Sequence, residues 1–97
     1  MGIDWRTIQI FLSDDFVCEV QVDTDNHKKM RCSCPIFSRV GRCKHVRFVK
    51  SAAEKNSGHY SIVVTGDDAT EEAVIEASKD SKKFRDFIIK HAVIEVL

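Results

Sequence analysis

Four residues within fourteen positions, Cys32, Cys34, Cys43 and His45, constrain this 97-residue chain more than any other feature. They are arranged as Cys-x-Cys, eight intervening residues, then Cys-x-His. Three soft thiolates and one imidazole in two close pairs suit a single tetrahedral Zn²⁺. Each pair also predicts local structure. Side chains at i and i+2 share one face of a strand, so a strand ending at Cys34 would aim both sulfurs at one metal. On a regular helix, positions i and i+2 diverge by about 200°. Cys43 is therefore expected in the turn before a helix, with His45 in the helix's first turn. Backbone amides and the positive dipole at that end favour the Cys43 thiolate. The competing reading is a chance grouping of structural cysteines, and the matched spacing of both pairs argues against it.

The flanking residues extend the pattern. An apolar strand over residues 16–22 and the run Lys29-Met30-Arg31 precede the first pair, and Pro35 follows it directly. Val46-Arg47-Phe48-Val49 follows the second pair. Together these features resemble the SWIM zinc finger, across about residues 16–50, roughly a third of the chain. The resemblance implies that Cys32, Cys34, Cys43 and His45 ligate one structural zinc. SWIM modules occur in transposases, chromatin-remodelling ATPases, recombination factors and ubiquitin-ligase-like proteins, so it implies DNA or protein as partner. Residues beyond 57 carry no resemblance.

Charge is divided unevenly along the chain, although the formal net charge is zero. Residues 28–55 hold nine basic side chains and one acid, Glu54, a net of +8, and the remainder balances this at −8. Three thiolates around a divalent cation alter that block by only one unit. A cationic block of this size is what a phosphate-binding surface requires. Lys28, Lys29, Arg31, Arg39, Arg42, Lys44, Arg47 and Lys50 are the expected nucleic-acid contacts. The bland alternative is a solvated face that offsets the thiolates.

The pattern along the chain predicts an α+β fold: a small antiparallel sheet, a zinc-anchored helix after the Cys-x-His, and further C-terminal helices. Residues 7–12 and 16–22 read as strands joined by a turn at Ser13-Asp14-Asp15. Phe16, Cys18, Val20 and Val22 share one face of the second, which makes Cys18 a small core residue rather than a ligand. A polar turn over 23–27 leads to a third strand over 29–33. Residues 35–42 are expected as a metal-side loop, with Gly41 allowing a tight backbone. Phe37, between Arg39 and Arg42, either stacks a base or covers the metal site, and the second reading is favoured. A helix from Cys43 to Asn56 buries Val46, Val49 and Ala53 and exposes its basic side chains.

Residues 59–65 read as another strand, and Asp68 with Glu71 as the start of an acidic helix reaching about Lys79. A last helix over 81–90 carries Phe84, Phe87 and Ile88 on one face. Alternation favours a closing strand over 93–97. The expected organisation is one domain over 1–97, with a finger core over 16–55 and an α/β extension over 59–97.

Four protein ligands would leave a zinc no open position, and no phosphate-cradling loop or nucleophile elbow is present, so the chain is not expected to be an enzyme. His27, His59 and His91 lack ligand spacing and are expected as surface or edge residues. The start Met1-Gly2-Ile3-Asp4-Trp5 has no secretory character, and no apolar run is long enough for a membrane. The expectation is an intracellular protein, cytoplasmic or nuclear, with reduced thiols. Three partner readings stand: nucleic acid on the basic surface, a protein docked to a zinc-stabilised adaptor, and self-association through the opposite-charge halves. No small-molecule substrate or membrane partner is expected.

Overall fold

Three strands, β1 (Trp5–Leu12), β2 (Val17–Asp23) and β3 (Asn26–Cys32), make an antiparallel meander. They belong to a computed structural model that describes residues 2–12, 16–60, 62, 64–66 and 69–96. On β2 the side chains of Cys18, Val20 and Val22 are buried while Glu19 and Gln21 are half-exposed, the period-two alternation of a sheet with one core face. Phe16, expected on that buried face, sits just before β2 and is 36% exposed. A bulge interrupts the β1–β2 register, because Thr7 faces Gln21 and Gln9 faces Val20 with Ile8 between them. The extra residue lets two consecutive side chains, Thr7 and Ile8, both be buried.

The β2–β3 turn is tighter than the polar run suggested. Asp23 Oδ1 accepts from the Asp25 amide at 2.9 Å, so the chain reverses at Thr24 and Asp25 and β3 starts at Asn26. The Ser13-Asp14-Asp15 turn lies outside the described residues. A two-residue strand, β4 (Glu95–Val96), pairs parallel to β1. The sheet order is β3-β2-β1-β4, an antiparallel core with one parallel edge pair.

Among the described residues, four helices complete the α+β fold: α1 (Pro35–Val40), α2 (Lys44–Lys55), α3 (Glu71–Ala77) and α4 (Ser81–His91). Helix α2 buries His45, Val46, Val49 and Ala53, one stripe at helical spacing, and ends at Asn56. Helix α4 starts on Asp80, whose Oδ1 accepts from the Lys83 amide at 2.8 Å, and buries Phe84, Phe87, Ile88 and His91. It lies along β1, and its Arg85 meets Glu19 of β2 at 3.1 Å. Helix α3 is capped by Thr70, whose hydroxyl accepts from Ala73. Asp68, the expected cap, is outside the described residues.

The strand expected over 59–65 reduces, among the described residues, to one bridge between Val64 and Ala92. Tyr60 and Ile62 pack their side chains against the core there instead of extending a ladder. No helix among the described residues is long and apolar enough to cross a membrane.

Candidate metal centre

Cys32, Cys34, Cys43 and His45 converge, all four buried, with their ligand atoms within 4.8 Å of one another. Each arrives by a different local device. Cys32 ends β3 opposite Val20, so its sulfur lies on the core face of the sheet. Cys34 leaves the sheet and becomes the N-cap of α1, its Sγ accepting from the Phe37 amide at 3.5 Å. Cys43 is the N-cap of α2 with extended backbone, its Sγ accepting from the Val46 amide at 3.5 Å. His45 follows in the first turn of α2 and presents Nδ1 to Cys32 Sγ at 3.7 Å.

Residues 35–42, expected as loop, are therefore mostly helix. Pro35 at the first helical position and Gly41 just past the last, at φ 76°, bound that single short helix. The tight backbone expected at Gly41 is this left-handed cap, and its amide returns to the Phe37 carbonyl at 2.8 Å. Two sulfurs thus sit at two helix N-termini and accept an amide hydrogen bond each.

The donor set and its spacing fit one metal ion. Bonds of about 2.3 Å to sulfur and 2.0–2.1 Å to imidazole place tetrahedral neighbours roughly 3.6–3.8 Å apart. The Cys32–His45 separation of 3.7 Å falls in that range, and the widest separation closes with about an ångström of side-chain movement. Burial pushes the Cys32 thiol up, and its other thiol neighbours add to that. At Cys34 burial acts in the same sense but is outweighed by the Phe37 amide and by Cys43 and Cys32, so its thiol lies below the ordinary value. Burial, with the Lys44 charge beside it, lowers His45 and keeps the imidazole neutral, as a ligand must be.

Cys18 is buried in the core and stands outside the cluster. Continuing the β2–β3 register beyond Val20 and Cys32 sets it across from Cys34, just behind the site. Burial raises its thiol, partly offset by a side-chain hydrogen bond with Cys32. His27 and His59 are exposed, whereas His91, expected as a surface or edge residue, is buried against Phe87 with ring centroids 4.8 Å apart. Its position on the apolar stripe of α4, three residues past Ile88, accounts for this.

All eight predicted cationic contacts are exposed, but the fold divides them. Arg42, Arg47 and Lys50 line one concavity of about 490 Å³ between α1 and α2, with Phe37 as a wall and Met30 beneath. Lys44 lines a second, of about 420 Å³, on the far side of α2 with Arg47 and Lys55. Lys28 and Lys50 share a third, beside β3. Arg31 is committed elsewhere: its Nε donates to Gln21 at 2.7 Å and its guanidinium lies 4.4 Å over the Trp5 ring. Lys29 and Arg39 line none of these three concavities.

Phe48, not predicted as a site residue, is 41% exposed in the second concavity. Its spacing was a usable signal, since Lys44, Phe48, Ala52 and Lys55 recur at i, i+4, i+8 and i+11 and so share a helix face. No protein-family model, curated protein or solved structure matches the chain.

Proposed function

We propose that this chain is a zinc-stabilised, SWIM-type module that binds nucleic acid through the basic surface of α2. The metal is zinc because a three-sulfur, one-imidazole set around a closed tetrahedral shell is the chemistry zinc accepts. With four protein donors the shell has no open position, so the ion's role is to hold β3, α1 and α2 together rather than to activate water. The chain is accordingly read as a binding module, not an enzyme.

One observation carries the nucleic-acid reading. Arg42, Arg47 and Lys50 converge on a single concavity whose other wall is the α1 segment fixed by Cys34. Three cations facing one groove form a phosphate track; scattered over the surface they would be only solvated charge. Fluorescence anisotropy of zinc-loaded protein with labelled oligonucleotides across a salt series tests it. Three phosphate contacts give a log–log slope of about −2 to −3. Absence of salt-sensitive binding at low ionic strength would overturn the reading.

A protein-docking role has its own support. The register sets Leu12 beside Val17 on one side and Val96 on the other, and all three are exposed apolar side chains. Should the salt series show no binding, that strand end is where a captured partner is expected to sit.

A further inference from the structure

The two concavities on α2 are not independent. Arg47 and Ser51 line both, so they form a ridge along α2 with a groove on either side. Each groove carries one aromatic ring and additional cations. On the α1 side these are Phe37, with Arg42 and Lys50; on the other they are Phe48, with Lys44 and Lys55. Among the described residues, Glu54 is the only acid in either.

Resting on the nucleic-acid reading above, we infer that the ligand is an unpaired strand that crosses α2. Its backbone passes over the Arg47 ridge, and flanking bases enter the two grooves against Phe37 and Phe48. The chemistry selects single strands for a simple reason. A phosphate track alone accepts any polyanion, but an aromatic ring gains only from a base whose face is free, and in a duplex both faces are already stacked. Phe48 packs edge-on against Phe11, with ring centroids 5.6 Å apart, and leaves the rest of its ring exposed beside Lys44, Arg47 and Lys55. Phe37 is half-buried, with one side against the core and the rest forming the groove wall. Sugar chemistry is not distinguished by these groups, so DNA and RNA strands are expected to bind comparably.

The test compares single-stranded and duplex oligonucleotides of one sequence, as DNA and as RNA, against zinc-loaded wild type, Phe37→Leu, Phe48→Leu and Arg47→Glu. Leucine keeps the apolar volume and removes the ring, and retained zinc stoichiometry shows that each variant is folded. Single strands should bind more tightly than duplex. Each leucine variant should weaken single-strand binding by about five-fold and leave duplex binding unchanged, the lower end of what one stacked base contributes. Arg47→Glu should weaken both. Equal affinity for the two forms, or leucine variants that bind single strands as wild type does, overturns this inference and leaves phosphate binding standing. Loss of all binding by wild type overturns the nucleic-acid reading itself.

Discussion

The ring of Phe11, fully buried on β1, packs against the imidazole of His45 with centroids 4.9 Å apart and planes inclined at 47°. Phe16 approaches the same imidazole edge-on at 6.4 Å. The histidine of the Cys/His cluster is therefore positioned by the apolar core as well as by its helix. The centre and the sheet are one structure, and a defect in either is expected to reach the other.

Phe11→Ala should show this coupling. Truncating a buried phenylalanine costs about 3–5 kcal/mol through lost burial and the cavity left behind. Loosening the imidazole should also weaken zinc affinity by about ten-fold, the lower end of the usual effect of removing a ligand's orienting neighbour. Chemical denaturation and competition with a chromophoric chelator read the two effects separately. Unchanged zinc affinity in a destabilised Phe11→Ala would show that the stack is packing only.

The four cysteines should separate into two classes. Cys34→Ser removes a donor and should abolish near-stoichiometric zinc, with a loss of several kcal/mol because metal binding is coupled to folding. Cys18→Ala should keep the zinc and cost about 1 kcal/mol, an ordinary core effect. Metal analysis of the purified variants decides it. Zinc loss in Cys18→Ala would make that thiol part of the shell.

Without metal, stability should depend on pH in two directions. Burial holds the His45 pKa below its ordinary 6.5, so the folded state resists protonation there. That contribution is present above pH 6.5 and is lost as pH falls through the lowered value. Burial raises the Cys32 thiol above its ordinary 9.0, so its contribution is present below pH 9.0 and is lost as pH rises beyond it. Cys34, held below its ordinary 9.0, adds a contribution that is lost as pH falls below 9.0. Urea midpoints of the metal-free protein should thus drop on the acid side of pH 6.5 through His45 and drop above pH 9.0 through Cys32. In between they should slope upward with pH through Cys34. His45→Gln should flatten the acid limb relative to wild type. An unchanged acid limb would mean that other groups control it.

Much of this architecture was legible in the chain because the decisive signals are local. The i, i+2 spacing of Cys32 and Cys34 needs extended backbone, and that of Cys43 and His45 needs a helix start. In the fold, β3 ends on Cys32, Cys34 stays extended as the cap of α1 instead of continuing the strand, and Cys43 caps α2. Apolar periodicity located α2 and α4 to within a residue or two. Features set by longer-range packing were not legible. Helix α1 has six residues, too few for periodicity, and its cap is a cysteine, outside the usual Ser, Thr, Asp and Asn. The bulge at Ile8 and the parallel pairing of Glu95 with Phe11 are decided by what packs on β1. Burial of His91 depends on α4 docking along that strand. The grouping of Arg42 with Arg47 and Lys50, and the diversion of Arg31 onto Trp5, follow only from the folded positions of α1 and the sheet.

Gly41→Ala separates backbone conformation from coordination. A side chain added there meets nothing within 4 Å, so the cost comes from holding a non-glycine residue at φ 76°. That cost is about 1–2 kcal/mol. Thermal unfolding of the loaded protein should show the loss while zinc stoichiometry stays at that of wild type. Loss of zinc in this variant would mean that the α1 cap also sets the position of Cys43.

The central claim is that Cys32, Cys34, Cys43 and His45 close a tetrahedral zinc shell on which α1 and α2 are hung. X-ray absorption at the zinc edge of protein purified without added metal tests it most directly. The account predicts near-stoichiometric zinc with three sulfur neighbours at about 2.3 Å and one nitrogen at about 2.0–2.1 Å. Protein that carries no zinc, or a shell with oxygen in place of one of these donors, would contradict it.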